Sequence, residues 1–109
     1  MCTHPLIDRW LDRLAAADIE GLADLYHPDG RLDTNSESWQ GRDEIADGLL
    51  THRKFLRSLR VDGVQALSVQ DTGITFETRL RSLFGPAALR HHWTMTGDAI
   101  QAHRIEATT

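Results

Sequence analysis

The chain has 109 residues and a formal net charge of −4. That length builds one core, so a single domain over residues 1–109 is expected, and the acidic balance argues against nucleic acid or an anionic membrane as partner. Cys2 is the only cysteine, which excludes an intrachain disulfide. With no secretory pattern at the N-terminus and no apolar run longer than Leu14 to Ala17, a cytoplasmic protein is expected.

Thr3 and Pro5 mark the start of a first helix, because a threonine can cap it and proline lacks only an N–H that would go unused. Leu6, Ile7, Trp10, Leu11 and Leu14 then recur at helical spacing. That helix should end near Ala17. Asp18 caps a second helix with Ile19, Leu22, Ala23, Leu25 and Tyr26 turned inward, and Pro28-Asp29-Gly30 stops it. Residues 31–35 alternate and suggest a short strand, with a polar loop to Ser38. A third helix starts after Gly41, where Asp43 and Glu44 complement the helix dipole. Ile45, Leu49, His52, Phe55 and Leu56 follow one face of it. The basic residues Arg53, Lys54 and Arg57 read as a solvated helix face.

From Val64 the period changes to two. Residues 64–70 form a strand and 70–73 a turn. Ile74, Phe76, Thr78, Leu80, Ser82 and Phe84 share one side of the next strand, while Thr75, Glu77, Arg79 and Arg81 share the other. Leu89, His91, Trp93 and Met95 share a face of a third strand. Thr96-Gly97-Asp98 turns the chain into a last strand from Ile100 to Ala107. The fold class is therefore α+β: a mixed, strongly curved sheet wrapped around three N-terminal helices.

Three short motifs, AAADIEG (15–21), LYHPDG (25–30) and WQGRDEI (39–45), precede the closing strand pair 91–97 and 99–105. In order and spacing they resemble the nuclear transport factor 2-like superfamily, in its SnoaL-like and ketosteroid isomerase-like branch. The resemblance implies a cone-shaped α+β barrel with a pocket between helices and sheet that takes a small apolar molecule. It also implies a homodimer through the outer sheet face. In ketosteroid isomerases a helix tyrosine and a protonated acid on a late strand hold the substrate oxygen, and a first-strand aspartate moves the proton. Matching Gly21 and the HPDG turn places Trp10, His91 and Thr34 at those positions. None is the isomerase residue: an indole N–H donates but transfers no proton, and a threonine is no base at neutral pH.

His91 is the leading candidate for acid–base catalysis, since imidazole titrates near neutrality; the alternative is a histidine bonded into the core. Asp33 joins it if a bulge swings the carboxylate inward, and otherwise Leu32 and Thr34 face the pocket. His103 either meets His91 across the pocket or lies at a dimer contact, whereas His92 faces away. Trp10, Tyr26, Phe55, Phe76, Trp93, Met95 and His103 are the candidate ligand-binding residues, with Trp39 at the mouth or under the loop. His91, His103 and Asp33 are too few for a metal site, and nothing calls for a cofactor. Three functions follow: proton transfer on a cyclic or polyketide-like substrate, non-catalytic ligand binding, or a limonene-type epoxide hydrolase. The last needs an Asp-Arg-Asp set inside the pocket, whereas Arg79 and Arg81 alternate outward.

Overall fold

The computed structural model describes residues 4–108. Its elements run α1 (Pro5–Ala15), α2 (Ile19–Ala23), β1 (Tyr26–Asp33), β2 (Ser38–Gln40), α3 (Arg42–Thr51), α4 (Arg53–Ser58), β3 (Arg60–Gln70), β4 (Gly73–Ser82), β5 (Gly85–Thr96) and β6 (Ala99–Ala107). The six strands form one curled, unclosed sheet in the order β2-β1-β6-β5-β4-β3. Only β1 and β6 run parallel. The remaining pairs are antiparallel, as short connections allow.

Helix α1 buries the stripe Leu6, Ile7, Trp10 and Leu14 against the concave sheet face. The Thr3 cap expected from the sequence lies outside the described residues; the cap is His4, whose Nδ1 accepts the Leu6 N–H at 3.1 Å. At its other end the Asp18 N–H donates to the Arg13 carbonyl and the Ala17 N–H to the Leu14 carbonyl. This paired closure requires a left-handed residue, and Ala17 supplies it with φ of 51°.

The sequence reading differs from the structure at several places: β3 begins at Arg60 instead of residue 64, and Phe84, expected on the inward face of β4, lies beyond the strand and is exposed. The HPDG turn does not end α2: Tyr26 already belongs to β1. Residues 27–30 form a bulge between the pairs Tyr26↔Ile100 and Arg31↔Ala102. Gly30 is needed there, because a Cβ would come within 2.9 Å of the carbonyl oxygens of His27 and Ile100. The loop before Gly41 contains β2, which pairs with β1. The third helix is broken at His52. The Thr51 hydroxyl donates back to the Asp47 carbonyl and the His52 N–H reaches only to Leu49, both of which loosen the regular ladder.

Helix α3 is anchored to the bulge. Gly41 N–H donates to the Gly30 carbonyl at 2.7 Å, and the Arg42 guanidinium donates to the Tyr26 carbonyl at 2.7 Å. About two turns on, Gly48 lets the indole of Trp39 lie directly on the helix backbone, where a Cβ would overlap the ring. Gly48→Ala should therefore destabilise the protein by about 1–3 kcal/mol, although alanine favours an exposed helix by roughly 1 kcal/mol. Urea unfolding checks this, and a neutral or stabilising result would show that Trp39 does not rest there.

Candidate functional site

Between the helices and the sheet lies a cavity of about 390 Å³. Leu14, Leu22, Leu32, Leu49, Leu56, Leu59, Leu80, Leu89 and Ile105 make its walls apolar. Trp10, Tyr26, His91 and His103 form its inner end; Thr34, Asn35, Ser36, Glu37, Trp39 and His52 form its mouth. Among the described residues no arginine or lysine lines it, and the single lining carboxylate, Glu37, is at the mouth, paired with His52 at 2.8 Å.

The inner end is organised by a hydrogen-bonded chain that crosses four adjacent strands. Thr78 Oγ1 on β4 lies 3.0 Å from His91 Nε2 on β5. His91 Nδ1 lies 2.8 Å from His103 Nε2 on β6. His103 Nδ1 lies 2.7 Å from the Tyr26 hydroxyl on β1. All four residues are only 1% exposed. The rings are fixed by packing: Phe76 stacks on His91 at 4.5 Å, and Trp10 stands edge-on to His91 at 5.3 Å and to His103 at 5.7 Å.

Burial governs the titration of this chain. Desolvation, helped by the nearby charge of His92, lowers the His91 pKa from the ordinary 6.5 to about 3. His103 is held well below its ordinary value, first by burial and then by His91 and His92. Burial raises the Tyr26 phenol above 10, against the opposing effect of a hydrogen bond with Trp10. Both imidazoles are neutral at pH 7, so the chain carries protons without carrying charge.

The predicted site residues separate into two groups. Trp10, Tyr26, Phe55, His91, His103 and Thr34 line the cavity. Thr34 is occupied at the mouth: its hydroxyl oxygen accepts the Glu37 N–H at 3.0 Å and so shapes the loop. His103 meets His91 and not an outer surface. Asp33 lies on the opposite face of β1 from Leu32, where it accepts hydrogen bonds from Ser38 and Arg31 that hold its carboxyl below the ordinary range. The bulge precedes this strand segment, so alternation still turns Asp33 outward. Phe76 and Trp93 are buried in the core but do not reach the cavity, because Trp10 stands edge-on above both at 6.3 and 6.0 Å. Met95 falls just past a register break in the β5–β6 pairing and is likewise away from the cavity.

Two contributors were missed. Thr78 shares the inward face of β4 with Ile74, Phe76 and Leu80; a hydroxyl set between apolar residues on that face was the available signal. His52 was assigned to a helix face but sits at the break, beside Trp39. Among the described residues no group of three or more His, Cys, Asp or Glu converges to hold a metal, and no helix is long and apolar enough to cross a membrane. Arg81 pairs outside with Asp62 at 2.8 Å, and no arginine enters the cavity.

A SnoaL-like domain model matches residues 7–108. The chain belongs to the SnoaL-like family. Solved structures agree on the fold. A protein from Sphaerobacter thermophilus superposes with a TM-score of 0.82 at 18% identity, covering 95% of this chain and 94% of that one. A proposed polyketide cyclase from Sinorhizobium meliloti gives 0.79 at 16% identity, covering 95% of each chain. A ketosteroid isomerase-like fold from Catenulispora acidiphila, solved with trimethylamine, gives 0.72 at 14% identity, covering 96% of this chain and 86% of that one. No curated protein matches the chain.

The two neutral histidines make stability depend on pH in a defined direction. Unfolding exposes them and returns their pKa to about 6.5, so below that the unfolded chain binds more protons than the folded one. Stability should be full above about pH 6.5 and fall as pH drops toward 3, by up to about 1.4 kcal/mol per unit for each histidine. Urea unfolding between pH 7.5 and 4.5 measures this. A flat profile would mean that the histidines are charged or exposed.

Proposed function

We propose that this SnoaL-like protein binds an uncharged, largely apolar ring compound in its cavity. The carrying observation is a cavity walled mainly by leucines and isoleucine, whose inner end carries neutral polar groups held in a hydrogen-bonded chain. Burying a carboxylate or ammonium there without a partner is strongly unfavourable, whereas a single ketone or hydroxyl oxygen finds one. A neutral steroid or polycyclic ketone should bind, and its carboxylated counterpart should bind at least about tenfold more weakly, since an unpaired buried charge costs well over 1.4 kcal/mol. NMR titration of the two compounds decides it, and equal affinity would sink the reading.

A second reading, proton transfer on the bound molecule, is favoured by the two coupled imidazoles at the inner end and by likeness to a proposed polyketide cyclase. It separates from passive binding in one assay. A bound ketone in D₂O should exchange its α-hydrogens faster than the buffer blank, and His91→Gln should remove the excess. No excess exchange leaves a binding protein.

The proposal includes a homodimer through the outer sheet face. There Glu77 pairs with Arg90 at 2.6 Å and Glu106 with His92 at 2.5 Å, which leaves a patch of mixed sign that a two-fold axis can place on its own copy. Sedimentation should give twice the chain mass at low salt and a lower apparent mass in the variant Glu77→Arg. A monomer at all concentrations would overturn it.

A further inference from the structure

A neutral imidazole has one donor nitrogen and one acceptor nitrogen. His91 spends both, on His103 and Thr78, and His103 spends both, on His91 and Tyr26. No ring nitrogen is left for a ligand. Thr78 does not line the cavity, but Tyr26 does. After its contacts with His103 and Trp10, the Tyr26 hydroxyl keeps one open hydrogen-bonding position.

Only two proton arrangements satisfy the whole chain. With protons on both Nε2 atoms, Tyr26 donates to His103, His103 donates to His91, and His91 donates to Thr78. Tyr26 can then only accept from a ligand. With protons on both Nδ1 atoms, Thr78 donates to His91, His91 donates to His103, and His103 donates to Tyr26, which leaves the tyrosine proton for a ligand oxygen. Mixed arrangements place two protons or two lone pairs against each other across 2.8 Å.

Resting on the reading of the cavity as a ligand site, we propose that the Tyr26 hydroxyl is the group that meets the ligand's polar atom. His103, His91 and Thr78 are positioning residues that set this hydroxyl as donor or acceptor. The ligand class follows: an uncharged ring compound whose oxygen is a ketone or a hydroxyl, with both forms accepted by the same residue.

The test uses three bicyclic probes of similar size. Indole only donates, 1-indanone only accepts, and indene does neither. NMR titration should show indole and 1-indanone binding about fivefold tighter than indene, the worth of one net hydrogen bond. The side-chain nitrogen signals of His103 should report a proton on Nε2 with indole and on Nδ1 with 1-indanone. Within the Tyr26→Phe protein the advantage of indole and 1-indanone over indene should disappear. The nitrogen signals are read in the unmodified protein, so that arm does not depend on the variant folding. The same tautomer with both probes, or an advantage that survives Tyr26→Phe, overturns the role of Tyr26 and leaves the cavity reading standing. Failure of all three probes to bind overturns both.

Discussion

The 2.8 Å hydrogen bond between His91 and His103 is the constraint around which the inner sheet face is arranged. Two imidazoles buried to 1% exposure are tolerated only if every ring nitrogen has a partner, since an unsatisfied buried polar atom costs about 1–3 kcal/mol. Thr78 and Tyr26 meet that requirement at the two ends. The chain therefore ties β4, β5, β6 and β1 together on their concave side, perpendicular to the strands. Placing Tyr26 within reach of His103 requires β1 to start at residue 26, and the bulge over residues 27–30 then restores register with β6.

The packing around the chain serves the same end. Phe76 lies nearly parallel to His91, and Trp10 meets both imidazoles edge-on, so neither ring can turn without displacing an aromatic neighbour. This also explains the separate fates of the aromatic residues. Those nearest the sheet, Phe76 and Trp93, support the chain; Trp10, projecting from α1, covers them and forms the cavity's inner surface.

Much of this was legible in the sequence where periodicity is strong. The alternation of Ile74, Phe76, Thr78 and Leu80 gave the inward face of β4, and the α1 stripe gave the helix face that covers it. His91 could be placed on a concave face and His103 either there or at a dimer contact; their meeting depends on the β5–β6 register, in which His91 lies opposite Ile105 and His103 opposite Trp93. The two histidines are diagonal neighbours, and no local signal specifies that. Tyr26 was expected to face the pocket, but from a helix instead of a strand. Its neighbours Leu22, Ala23 and Leu25 keep helical spacing, and Pro28-Asp29-Gly30 is ordinarily a helix stop, so local chemistry pointed to a turn where tertiary pairing makes a bulged strand. Asp33 shows the converse: plain alternation placed it outside, and the structure agrees.

The two ends of the cavity are held by forces of different kinds, and this divides the work of a ligand site between them. At the mouth, the Glu37–His52 pair has both side chains more than 40% exposed, so it contributes little to stability. The neighbouring hairpin tip puts Leu83 at 72% and Phe84 at 87% exposure, with Phe84 resting on the cavity residue Phe55. Such water-exposed contacts are the least expensive to open. At the inner end every polar atom of the four-residue chain is buried, and moving one strands the next. On the proposed reading, a molecule entering the cavity displaces the mouth before it disturbs the histidines. Entry would then be governed by a loosely held rim, and recognition by a rigid, uncharged floor whose adjustable property is the direction in which its protons point.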